Sequence, residues 1–459
     1  MSLEEDAPAD EGPDPFDAYR QFFALERDVL VLSLAMFAFS LGFQMTSRYM
    51  AEYMVALGAT VFVVGLFGTF GNVIAAVYPY PGGAISDRIG SRYALTAFGF
   101  VSTLGFTVWL LAPWLSGFSV GSVELSILAI FAGLVLAQAW KSFGLGATYA
   151  IVKQAVPPSQ LAAGFASTES FRRTAFLIGP LIAAALFLPF GTGEGEIVTA
   201  FQLILLVAIV FGVLGTLAQH VLYDASEDSY GKQFQGVSQI RRDLRNLPPE
   251  LRPLLVGDTL VRFANGMVYV FFVLVVTQVL GVGLSLSLPA VGTVDLSPQA
   301  YFGLLLGLEM LVALLVMVPA AKLAERVGLK PVVAVGFAVY AVFPILLISA
   351  PESAGVLALL FAFSGLRFAG LPAHKALIVG PAEMGAGGRV TGSYYLVRNV
   401  LVIPSAALGG LLWSGIWNPL TGEQLLAGDP VLAFALATVI GLVGTGYFLV
   451  FGREFEAYA

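Results

Sequence analysis

Twelve apolar stretches, each about 20 residues long or more, follow one another at 29–57, 60–81, 93–113, 123–152, 161–189, 197–221, 251–281, 299–320, 331–350, 353–378, 388–416 and 430–452. This recurrence constrains the fold more than any other feature. A helix needs about 20 apolar residues to cross about 30 Å of hydrocarbon, where every backbone N–H and C=O must find its partner within protein. The pattern predicts an all-α membrane protein with twelve transmembrane helices. The period-two alternation of a membrane barrel is missing. Composition agrees, since 58% of residues are hydrophobic and only 12% charged, about half the charged share of a soluble domain.

The connections fix an expected orientation. Those near 82–92, 153–160, 222–250, 321–330, 379–389 and the tail after Arg453 contain Lys or Arg, whereas those near 114–122, 190–196, 282–298, 351–352 and 417–429 contain neither. The positive-inside rule then predicts cytoplasmic N- and C-termini in the plasma membrane. Residues 1–27 hold eight Asp or Glu against Arg20 and Arg27 and read as an acidic cytoplasmic arm. No secretory leader pattern is present, so the first span reads as permanent. The chain has no cysteine, which removes disulfides and thiol chemistry. His220 and His374 lie too far apart in sequence to suggest a metal site, and no phosphate-cradling glycine loop occurs. The expectation is no enzyme, no cofactor and no nucleic-acid partner, with a monomer in the bilayer exchanging a small solute.

An internal repeat divides the chain. Sliding it by 238 residues places 65–92 on 303–330 without a gap: Gly65 meets Gly303, Pro81 meets Pro319, Asp87 meets Glu325, Arg88 meets Arg326 and Gly90 meets Gly328. A slide of 226 places "KSFGLGATYA" (141–150) on "RFAGLPAHKA" (367–376), with Lys141 on Arg367, and also Arg172 on Arg398. Two six-helix bundles in the same orientation follow, at 28–221 and 251–452, joined by a cytoplasmic linker at 222–250 and followed by a short tail at 453–459. Within the linker, "SQIRRDLRNL" (238–247) has the spacing of a short helix lying on the membrane surface.

The stretch "GGAISDRIGSR" (82–92) resembles the loop signature of the major facilitator superfamily, G-x-x-x-D-R-x-G-R-R. Gly83, Asp87, Arg88, Gly90 and Arg92 match, and Ser91 replaces a usual basic residue. The second copy is degraded, with Ala321 for Gly and Glu325 for Asp, while Arg326 and Gly328 remain. "KSFGLGA" resembles that family's fourth-helix motif, with Lys141 one position away from the usual Arg. The resemblance covers about 28–452 and implies a secondary transporter in which Gly83, Asp87, Arg88, Gly90 and Arg92, with Glu325, Arg326 and Gly328, brace an inner gate. Read from chemistry alone, the same residues form a tight basic turn at an anionic leaflet.

Spans three, six, nine and twelve carry no Asp, Glu, Lys or Arg within their apolar lengths, so every third helix is expected to face lipid. Ionisable groups elsewhere near the midplane cost about 2.5–3.5 kcal/mol each and persist beside a partner or a wet cavity. Lys141 lies about eleven residues, roughly 17 Å, from the inner end of its span. Arg172, Arg173, Arg367 and Arg398 lie at comparable depth. Two readings stand: a basic central cavity that binds a polar or anionic solute through these five cations, or packing charges neutralised locally. Glu169, one turn from Arg172 and Arg173, reads as a neutralising partner and a candidate for proton coupling. Glu309, in "LLLGLEMLVALL" (304–315), has no basic neighbour one turn away and reads either as a proton carrier or as a protonated group bonded to a neighbouring helix. Arg48 and Glu52, spaced i, i+4, read as a local salt bridge, as do Asp258 and Arg262.

The leading expectation is therefore alternating-access transport of a small polar or anionic solute, with protons as an expected partner. A proton-linked drug exporter is the rival within the family resemblance, although of its fifth-span glycine series only Gly164 and Gly179–Pro180 are present. A non-transporting receptor with the same fold is the rival from another class.

Overall fold

The computed structural model describes residues 27–121, 123–143, 161–224, 226, 245, 247–288, 292–381, 387–417 and 424–454. Among them, ten helices are long and apolar enough to cross a membrane, and Val61–Val77 is a shorter apolar one. The first half comprises α1 (Arg27–Ser47), α2 (Met50–Ala56), α3 (Val61–Val77), α4 (Pro79–Ile89), α5 (Ser91–Leu111), α6 (Leu125–Gln138), α7 (Leu161–Phe187) and α8 (Glu194–Leu222). The second comprises α9 (Arg252–Val268), α10 (Pro298–Val327), α11 (Leu329–Ile348), α12 (Ala354–Gly365), α13 (Leu371–Val379), α14 (Gly387–Val402), α15 (Ser405–Ser414) and α16 (Pro430–Phe451).

Helix starts are set by local chemistry. Ser297 and Asp429 accept hydrogen bonds from Ala300 N and Val431 N, each with proline at the next position. A capping oxygen satisfies an orphan N–H, and proline at N1 has none to satisfy. The end of the bundle holding these two caps carries the connections without Lys or Arg and is called here the acidic end. Its connections fold into three antiparallel hairpins: β1 (Ser119–Val120) with β2 (Val123–Glu124), β3 (Leu284–Leu288) with β4 (Gly292–Leu296), and β5 (Ile416–Trp417) with β6 (Gln424–Leu426). The long connection expected at 282–298 is thus a hydrogen-bonded ribbon.

The opposite, basic end corrects another expectation. The signature stretch is mostly helical, in α4, and the reversal into α5 is made by Gly90 alone, at φ 87°. Gly328, at φ 90°, makes the equivalent reversal from α10 to α11. A side chain at such an angle is strained, so glycine is required there. The linker helix expected at 238–247 falls largely outside the described residues, as do 144–160.

Several expected spans are interrupted. The first breaks at Arg48–Tyr49 between α1 and α2, where Tyr49 adopts φ −105°, ψ 0°. The seventh breaks at a 3₁₀ turn, Tyr269–Phe271, and ends in a π turn, Val275–Val279. The fourth leaves α geometry in a π turn at Ala139–Phe143, and the tenth in a 3₁₀ turn at Leu366–Phe368. Pro404 separates α14 from α15. A π turn inside a helix often marks a functional position.

Helices α5, α8, α11 and α16 pack chiefly against their own half. They expose apolar side chains such as Leu104, Leu214, Val335 and Val443, as lipid-facing helices do. The two halves meet through α3 with α15 and through α7 with α10. Gly65 and Gly303 sit at these two crossings: a Cβ on Gly65 would lie 2.5 Å from Ala406 O, and one on Gly303 would lie 2.5 Å from Pro180 O. Small residues allow such close approach, which drives helix association in lipid. The break at Pro404 frees Ala407 N, and Thr69 Oγ1 of the other half accepts from it at 3.0 Å.

Candidate functional site

The interruptions carry charged groups. Lys141 sits on the π turn of span four, exposed between buried Trp140 and Ser142. Its Nζ lies 5.5 Å from the Phe43 ring centroid, within electrostatic reach of Arg172 and Arg48. Arg367 sits on the 3₁₀ turn of span ten but is buried. It is ion-paired with Glu309, which also accepts from Ser364 Oγ at 2.7 Å. The repeat thus holds one open and one sequestered cation at matching positions. Glu309 has a basic partner after all, supplied by another helix.

Arg367 continues into a stack. Its guanidinium lies 5.6 Å from the ring of Tyr269 and 5.1 Å from that of Tyr340. Arg48, from the break in span one, lies 4.6 Å from the opposite partner in the stack, Tyr269, and Arg262 lies 4.7 Å from Tyr340. Cations and rings alternate from Arg48 to Arg262 across the boundary between the halves, each contact worth about 0.5–2 kcal/mol. Sequence spacing assigned Arg48 to Glu52. The break at Tyr49 ends the continuous helix that an i, i+4 pair requires, and Arg48 donates instead to Gln44 Oε1 at 3.2 Å.

The third cluster centres on Asp258, which is fully buried. Its carboxylate lies 3.3 Å from Arg262 Nε and 3.2 Å from a terminal guanidinium nitrogen of Arg398. Tyr394 donates to it at 3.1 Å. His374 Nε2 lies 3.3 Å away, without the alignment of a hydrogen bond. The pairing of Asp258 with Arg262 follows the sequence expectation, whereas Arg398 and His374 arrive from distant segments. Arg262 also donates to Tyr340 at 3.0 Å, joining this cluster to the stack.

Arg262 and Arg398 turn their partly exposed sides to a cavity of about 270 Å³ between α3, α9 and the α14–α15 segment. Asn72, Asn265, Asn399 and Tyr269 line it with them. Arg398 bonds Asn399 at 3.0 Å, leaving its amide oriented by a cation. Two guanidiniums sharing one buried carboxylate leave an excess of positive charge on this wall. The amides supply both donors and acceptors. Arg172 and Arg173 are half-buried on α7, with Arg172 5.5 Å from the Phe176 ring. The side chain of Glu169 falls outside the described residues. Among the described residues, no group of His, Asp and Glu could hold a metal ion.

The sequence profile of the Major Facilitator Superfamily matches residues 32–401. The chain belongs to that superfamily. It is 21% identical over 399 residues to an uncharacterised MFS-type transporter of Methanocaldococcus jannaschii, spanning 85% of this chain and 89% of that one. Its fold is similar to that of the nucleoside transporter NupG (TM-score 0.69, 11% identity, 93% of this chain and 100% of that one). It is similar as well to a POT family transporter in complex with 5-aminolevulinic acid (0.69, 13%, 94% and 99%). A third similar structure is a bacterial homologue of the iron transporter ferroportin in an inward-facing state (0.67, 14%, 93% and 99%).

As a multi-pass membrane transporter of this superfamily, the chain carries its signature residues in a defined setting. Arg92 Nε donates to His220 O in the last turn of α8 at 2.7 Å, placing a cation on a helix C-terminus. Arg88 is exposed at the end of α4. In the second copy, Glu454 accepts from Leu329 N at 2.7 Å and from Lys330 N at 3.0 Å, capping α11 beside Gly328. Arg326 is exposed in the last turn of α10. The side chains of Asp87 and Glu325 fall outside the described residues.

Proposed function

We propose that this transporter moves a small polar or anionic organic solute by alternating access, as twelve spans in two six-helix bundles of a plasma-membrane monomer with both termini cytoplasmic. The single observation that carries this reading is the cavity where Arg262 and Arg398 share Asp258 and face Asn72, Asn265 and Asn399. Hydrocarbon cannot fill such a cavity, and the excess cation favours an anion. Lys141, the exposed cation of the first half, is in this reading a second contact for the solute. Arg172 and Arg173 are further contacts in this reading, and Arg367 enters contact only if its pair with Glu309 opens. In this reading the acidic end faces outward and is closed, and the cavity opens toward the cytoplasm. Transport is coupled to protons.

Flux in proteoliposomes across a broad solute panel, with and without a pH gradient, tests the reading. Small organic anions are expected among the substrates, and Lys141→Met is expected to raise KM at least tenfold, the equivalent of about 1.4 kcal/mol of lost binding. Lipophilic cations as the sole substrates would refute the basic cavity, and an absence of flux for every solute would favour a receptor.

A further inference from the structure

Glu52 lies on α2 at the acidic end, 1% exposed. Among the described residues it forms no ion pair. Its three hydrogen-bond partners are neutral, and all come from the other half. Thr277 Oγ1 is 2.6 Å from Oε2, Gln278 Nε2 is 3.4 Å from the same oxygen, and Gln299 Nε2 donates to Oε1 at 3.0 Å. Tyr49, one turn earlier, donates across the same boundary to Gln299 O at 3.0 Å.

Hydrogen accounting accommodates a proton on Glu52. Thr277 has a single hydroxyl proton but two acceptors within reach, Glu52 Oε2 and its own i−4 carbonyl, Val273 O, at 2.9 Å. If the hydroxyl donates to Val273, its oxygen must accept from Glu52, and a carboxyl group can donate only when it carries a proton. Every contact is then satisfied. An ionised carboxylate at the same place would be buried with no cation, at a cost of several kcal/mol.

We propose that Glu52 is a proton-binding latch between the two halves, holding its proton while the acidic end is closed and releasing it when that end opens. The opening itself rests on the alternating-access reading above. Separation of the halves removes Thr277, Gln278 and Gln299 together and leaves Glu52 in water. The surroundings contain few competing groups. On its own segment stand Arg48, engaged with Gln44 and Tyr269, and the hydroxyls of Tyr49 and Tyr53, the latter donating to Trp109 O. Neither α3 nor the segment Phe272–Val279 contains an ionisable side chain. On α8, Glu194 and Glu196 lie in the exposed first turn and His220 in the last. On α10, Tyr301 donates to Ala354 O, Glu309 is held by Arg367, and Lys322, Glu325 and Arg326 belong to the opposite end of the helix.

The closed form binds one more proton than the open form, so acid favours closure and the open-to-closed ratio rises by up to tenfold per pH unit. The chain has no cysteine, and Leu188→Cys with Glu352→Cys puts one spin label on each half at exposed positions of the acidic end. Interspin distances in nanodiscs are expected to form one short population at pH 5, with a longer population growing toward pH 9. Glu52→Gln, whose amide donates as the protonated acid does, is expected to stay short throughout. Thr277→Val, lacking the acceptor, is expected to shift the transition to lower pH. Distances unchanged with pH in the labelled parent, or the same pH response in Glu52→Gln, would overturn the latch. Solute flux measured on the same protein separates the two ideas: flux with pH-invariant distances removes the latch alone, whereas neither flux nor distance change removes the transport reading as well.

Discussion

Replacing Asp258 by Asn removes the one charge that holds Arg262, Arg398 and His374 together. The carboxylate is fully buried, while the arginine side chains are 23% and 17% exposed. Breaking a buried ion pair costs about 3–5 kcal/mol because the surviving charge is left uncompensated. Water reaching the guanidiniums through the cavity moves the expectation to the lower end, about 3 kcal/mol. With an unfolding entropy of about 2.1 cal/mol/K per residue, that corresponds to a Tm lowered by about 3 °C if the whole chain unfolds together, and roughly twice that if the second half unfolds alone. The assay is thermal unfolding in detergent, followed by tryptophan fluorescence. A second change, Arg398→Leu in the Asp258→Asn background, removes one orphaned cation and is expected to recover part of the loss. A Tm drop under 1 °C, or a double variant less stable by the sum of the two single losses, would refute the view that Asp258 neutralises both arginines.

Two further outcomes follow from backbone positions. Gly303→Leu inserts a side chain where even a Cβ would lie 2.5 Å from Pro180 O and 2.7 Å from Ala184 Cβ. It is expected to hold the halves apart at the acidic end, increasing labelling of nearby introduced cysteines by membrane-impermeant thiol reagents and reducing transport at least tenfold. Glu454→Ala removes the cap of α11 and is expected to cost about 1 kcal/mol locally, read as roughly fivefold faster hydrogen exchange at Leu329 and Lys330, with exchange in α5 unchanged.

Ten membrane-length helices were legible because apolar length is a property of each segment by itself, and caps such as Ser297 with Pro298 are local. The interruptions were not. "MTSRYMAEY" (45–53) contains neither glycine nor proline, so the break at Arg48–Tyr49 is imposed by packing against the other half, where Tyr49 reaches Gln299. That break defeats the pairing of Arg48 with Glu52 that the spacing suggested. Asp258 illustrates the same limit: Arg262 is four residues away, but Tyr394 and Arg398 lie 136 and 140 residues away. The repeat aligned Lys141 with Arg367, and both lie on turns that leave α geometry. Rotation was not legible, and it leaves the first exposed and the second buried.

The two glycines at the crossings between the halves have one origin in the repeat, Gly65 aligning with Gly303. Each half therefore brings to the boundary the same bare surface, and each meets the equivalent helix of its counterpart, since the 226-residue slide also places Pro180 on Ala406. A single ancestral unit pairing with its own copy would have needed that surface only once to make both contacts. The boundary thus makes one contact twice, Gly65 against Ala406 and Gly303 against Pro180, as a two-fold symmetric pair of units would.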